Sequence, residues 1–107
     1  MVLRLPKEHV AGGIPLKIKY ANINGGCFSF QDKEILVGKD YDDLAVLTFL
    51  GHELIEASTV GHMVRYGAQD EQYVYVLDHR TFSIICSELA ATVLKLLKAN
   101  GYKEEKG

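Results

Sequence analysis

The chain has 107 residues, 48% of them hydrophobic, and a formal net charge of −2. That length can bury a core as one domain over residues 1–107 without staples. Its charges are spread throughout with no basic patch among aromatics, so no nucleic acid is expected as a partner. No apolar run reaches membrane-spanning length, Met1–Pro6 has no signal-peptide core, and Cys27 and Cys86 stand far apart in apolar surroundings. The expectation is a cytoplasmic protein with two buried free thiols and no membrane partner.

Residues 1–13, with Pro6 and the closing pair Gly12-Gly13, read as an irregular arm in which His9 is a surface histidine. Ile14 to Tyr20 alternates apolar and charged residues, the period of a half-buried strand, and Asn22 to Gly26 marks a turn. Cys27–Phe30 and Glu34–Val37 read as two further short strands, giving a small antiparallel sheet. Asp40 is placed to cap a helix starting near Tyr41, with Asp42 and Asp43 in its first turn where the helix dipole favours negative charge. This helix ends between Ser58 and Tyr66, with Gly67 as a terminator. Gln72 to Leu77 alternates Tyr and Val and fits a short strand or a loop. Asp78 caps a last helix that stops at Asn100-Gly101, with Phe82, Cys86, Leu89, Val93, Leu96 and Leu97 as the stripe that packs against the first helix. Lys103–Gly107 is a frayed tail.

The chemistry concentrates in His52-Glu53-Leu54-Ile55-Glu56. A helix advances about 100° per residue, so His52 and Glu56 lie one turn apart on one face, where two side chains can share a metal ion. Glu53 falls beside the pair, within reach of a water activated by that metal, as in the His-Glu-x-x-His helix of zinc peptidases, here with a carboxylate in place of the second histidine. Phe49, Ala45, Thr48 and Ile55 share the His52 side of the wheel, which sets the pair against the buried stripe.

A catalytic zinc site needs a third ligand. His62 lies ten residues beyond His52, about 15 Å along a continuous helix, and ligates only if the helix breaks first. Glu88 falls away from the last helix's apolar stripe and is expected to face water. His79, in that helix's first turn at the margin of the stripe, is the preferred third ligand, with His62 the alternative.

The order of strand region, Leu50-Gly51-His52-Glu53-Leu54-Ile55-Glu56-Ala57 helix, and Leu77-Asp78-His79 opening a last helix resembles the small phage and prophage zincin-like proteins. Those resemble in turn shortened relatives of the ImmA/IrrE type of zinc peptidase. The resemblance spans roughly residues 25–101. It implies a minimal zincin-like α+β fold, with His52, Glu56 and His79 as metal ligands and Glu53 as general base. Two histidines and a carboxylate suit zinc and also ferrous iron.

The leading functional expectation is a metal-dependent peptidase with a peptide or protein substrate, the strand Glu34–Val37 offering an edge to an extended chain. A zincin-derived module that binds metal or protein without turnover is the second reading. The His52–His62 spacing also resembles bacterial ribosome-maturation endoribonucleases, whose helix carries a middle histidine that this chain lacks. The acidic balance disfavours RNA.

Overall fold

The computed structural model describes residues 3–67 and 73–104. The chain is α+β, a four-stranded mixed sheet followed by two helices. Strands β1 (Glu8–Ala11), β2 (Ile14–Ala21), β3 (Gly26–Ser29) and β4 (Glu34–Gly38) stand in the order β1-β2-β4-β3. Helix α1 (Asp43–Gly61), a small hairpin of β5 (Arg65–Gly67) and β6 (Tyr73–Tyr75), and helix α2 (His79–Ala99) complete the fold.

The expected irregular arm is in fact strand β1, paired antiparallel to β2 from Glu8↔Lys17 to Ala11↔Ile14. Gly12 and Gly13 take φ of +60° and +76°, the positive values that a tight hairpin turn twisted to match its strands demands of both central residues. Alternation then decides the faces: His9 and Ala11 point inward with Ile14, Leu16 and Ile18, and the lysines of β2 point out. His9, expected at the surface, is buried.

The sheet is mixed rather than antiparallel. β3 and β4 form the expected hairpin, Gly26↔Val37 to Ser29↔Glu34, but β4 returns between β3 and β2 and runs parallel to β2. Glu34–Val37 is therefore an interior strand, and the free edges belong to β1 and β3.

Asp42, not Asp40, caps α1: its carboxylate accepts the Ala45 N–H at 2.8 Å, and Asp40 has left the helical region at φ +68°. The helix stops at Gly61, with His62 as its C-cap and Met63 at φ +59°, and Gly67 lies beyond it in β5. Val46, Leu50, Leu54 and Ala57 cover Leu16, Ile18, Ile35 and Val37 of the sheet, and Leu96 of α2 joins them. Leu50 is 2% exposed, so Leu50→Ala is worth roughly 2–5 kcal/mol of stability.

Helix α2 docks by an unexpected face. Asp78 caps it through the Thr81 N–H at 2.7 Å and Asn100 closes it, as the sequence indicates. Phe82, Leu89, Val93 and Leu97, however, remain exposed, as does Cys86. The helix is held instead by polar groups. Glu88 accepts the Gly12 N–H at 3.0 and 3.1 Å, accepts the Ser58 hydroxyl, and lies 2.9 Å from His62 Nε2. Asn100 bonds both the N–H and the carbonyl of Arg4 at 2.9 Å. Glu88 thus faces the protein, because three donors converge on its carboxylate there. Cys27 and Cys86 are both free and both exposed, against the expectation of burial. Residue 72 and the tail 105–107 lie outside the described residues.

Candidate functional site

The buried face of α1 is centred on Val46, Leu50, Leu54 and Ala57, and Glu53 belongs to it. His52 lies round the helix from that face, with 71% of its side chain exposed, against 8% for Glu53 and 28% for Glu56. The sequence places His52 at the buried stripe; the structure gives that position to Glu53. Thr48 and Ile55, assigned to the same stripe, are exposed.

One turn of helix brings the three together. His52 Nε2 is 3.4 Å from Glu56 Oε2 and 3.9 Å from Glu53 Oε1. Among the described residues these three form the one group of three or more His, Cys, Asp or Glu whose ligand atoms all lie within 4.8 Å of one another. His79, the preferred third ligand, is exposed at the first position of α2 and stands outside this group. His62 is engaged with Glu88 at the other end of α1.

Glu53 is the unusual member. Its Oε2 is buried without a hydrogen-bond partner, a state that costs a carboxylate dearly. Burial raises its pKa, the neighbouring Glu56 raises it further by charge and hydrogen bonding, and His52 works against both. The roof over it is Gly26 of edge strand β3. A Cβ at Gly26 would lie 3.0 Å from Glu53 Cγ and 3.3 Å from Phe49 Cβ, so a larger residue there would press on both side chains as the strand passes the helix.

Glu56 has a second partner that the sequence did not reveal. Arg65 of β5 sets Nη1 2.6 Å from Glu56 Oε1, and its guanidinium lies over the Tyr73 ring of β6, 4.4 Å from the ring centroid. The hairpin thereby pins one carboxylate oxygen and leaves the other turned to His52. No local signal links Arg65 to Glu56, nine residues earlier, because the pairing depends on how the chain turns after Gly61.

A tetrahedral zinc ion holds two ligand atoms at about 2.0–2.1 Å each, hence about 3.3 Å apart. The 3.4 Å between His52 Nε2 and Glu56 Oε2 matches that edge, and an outer partner such as Arg65 is what orients a ligating carboxylate. The same separation is that of a plain His–Glu ion pair one helical turn apart, with His52 largely exposed, so the distance is compatible with a shared metal ion without marking one. Compared with protein-family models, with curated proteins and with solved structures, the chain matches none.

Proposed function

We propose that this domain is a zincin-like, metal-dependent hydrolase acting on peptide bonds, with His52 and Glu56 as metal ligands and Glu53 as the general base; His79 stands outside their group and is the third ligand to be tested. The observation that carries the reading is the buried carboxyl of Glu53, one oxygen of which has no hydrogen-bond partner, beside His52 Nε2 and Glu56 Oε2 at 3.4 Å. A bound divalent ion supplies Lewis acidity to a carbonyl and acidity to a water.

Glu53 takes a proton from the attacking water and returns it to the leaving amine, a role suited to a carboxyl whose pKa burial has raised. Arg65 holds Glu56 in one orientation. An extended peptide has a free edge to pair with at β3, Gly26–Ser29, directly beside Glu53. This edge replaces Glu34–Val37 in that role.

The test is elemental analysis of the purified wild type, His52→Ala and His79→Ala, followed by peptide hydrolysis with Glu53→Gln. The reading expects stoichiometric zinc or iron in the wild type, its loss in both histidine variants, and metal retained without hydrolysis in Glu53→Gln. A wild type that takes up neither metal sinks it.

A second reading, a binding module without turnover, is favoured by the 2.6 Å ion pair of Arg65 with Glu56, which supplies within the chain the positive charge that a metal would bring. It expects Arg65→Ala to unfold the hairpin while zinc leaves the melting temperature unchanged.

A further inference from the structure

Helix α2 runs past β1 in the opposite direction and is fastened at both ends of the strand. Glu88 accepts the Gly12 N–H at 3.0 Å where β1 ends, and Lys95 Nζ donates to the Glu8 carbonyl at 3.3 Å where it begins. His9 lies between these two attachments. It stands on the inward side of the strand, is 6% exposed, and neither ring nitrogen has a hydrogen-bond partner. A neutral imidazole carries one N–H and one lone pair, whereas an imidazolium carries two N–H groups and a charge. Neither form is satisfied at this position, and the charged one is by far the worse.

The charges that face the ring come from α2. Lys95 opposes an imidazolium, and Glu88 favours one through its carboxylate and its carbonyl. That carboxylate is already engaged by Gly12 and by Ser58 and His62 at the end of α1, and the carbonyl accepts the Thr92 hydroxyl at 3.0 Å. β2 sets Leu16 opposite His9. Arg80, Lys17 and Lys33 line the grooves on either side, with Glu8 and Asp32 among them.

α2 is also the separable part of the fold. It buries Thr92 and Leu96, and Leu96 is its one member of a core otherwise built from the sheet and α1. Its other fastenings are the hydrogen bonds of Glu88, Lys95 and Asn100. We propose that His9 makes α2 an acid-released flap: a proton on the ring detaches the helix and admits water to it, while the sheet and α1 stay folded. The ground uncovered is the strip of Ala11, Leu54 and Ser58 that α2 roofs.

Hydrogen exchange followed amide by amide by NMR from pH 7.5 to 5.5, with rates corrected for their intrinsic pH dependence, tests this. A freed α2 of 21 residues is marginal in water and frays, so its central amides and the Gly12 N–H lose protection together. Opening takes up one proton. Their protection therefore falls by up to about tenfold per pH unit between the ring's ordinary 6.5 and its lowered value in the closed fold. Amides of β2 and β4 keep theirs. His9→Leu removes the pH dependence and leaves α2 protected at pH 5.5. Constant protection of wild-type α2 across the range overturns the inference, as does loss of protection in β2 and β4 in step with α2, and both are read on the wild type whether or not the variant folds. A pH dependence that survives in His9→Leu overturns it as well.

Discussion

Arg65 and Glu56, on different elements, meet at 2.6 Å with both side chains largely shielded, 21% and 28% exposed. The contact joins the β5–β6 hairpin to the middle of α1 and fixes which oxygen of Glu56 faces His52. If Glu56 ligates a metal, Arg65→Ala lowers metal affinity about 10–100-fold, the usual cost of losing a group that orients a ligand. Competition with a graded chelator reads this directly, and unchanged affinity would assign Arg65 to the hairpin alone.

Glu53 gives a pH signature in chelated protein. Burial first, then Glu56, raises its folded-state pKa above the ordinary value of 4.5. The fold prefers the protonated carboxyl, so this contribution is complete below that value and is lost as pH rises through the folded-state pKa. Glu53→Gln, a neutral isostere, therefore melts higher than the wild type at neutral pH, and the difference shrinks towards pH 4. An equal shift at all pH values would contradict it.

His9 carries the opposite sign. Burial, and then the charge of Lys95, lower its pKa from 6.5, with Glu88 opposing. Neither ring nitrogen has a hydrogen-bond partner, so the fold favours the neutral ring. Its contribution is complete above pH 6.5 and is lost as pH falls through the lower folded-state value. Denaturant midpoints at pH 7.5 and 5.0 should differ less in His9→Leu than in the wild type.

Glu88 anchors α2 through the Gly12 N–H, the Ser58 hydroxyl and His62. Glu88→Ala leaves those groups without their acceptor and should cost about 2–4 kcal/mol, the scale of a charged, part-buried hydrogen-bond acceptor. Equilibrium denaturation measures it. A loss under about 0.5 kcal/mol, the level of a plain surface substitution, would show that α2 docks through Leu96 instead.

The sequence made legible what local periodicity controls. The alternation of Ile14 to Tyr20 gave β2, the pair Asp78 and Asn100-Gly101 bracketed α2, and the turn-by-turn spacing of His52 and Glu56 placed their atoms together. What it hid depends on contacts distant in the chain. β1 looks irregular until the Gly12-Gly13 turn folds it onto β2, and the parallel run of β4 beside β2 has no local mark. The wheel of α1 misplaced His52 and Glu53 because both sides of that helix carry apolar residues, leaving amphipathicity too weak to choose a face. In α2 the stripe expected to pack on α1 is exposed at every position but Leu96, because the helix docks where three donors converge on Glu88.

The attachments of α2 also set an order of events. Glu88 reaches Gly12, Lys95 reaches the Glu8 carbonyl, and Asn100 reaches Arg4, across separations of 76, 87 and 96 residues. Contacts so distant in sequence close late and slowly, since the whole intervening chain loses freedom before any of them forms. On a ribosome the first strand would therefore leave the tunnel long before its clasp, and the sheet and α1 would assemble while α2 is still being made. On this account the helix is a latch, closing on a body that already exists.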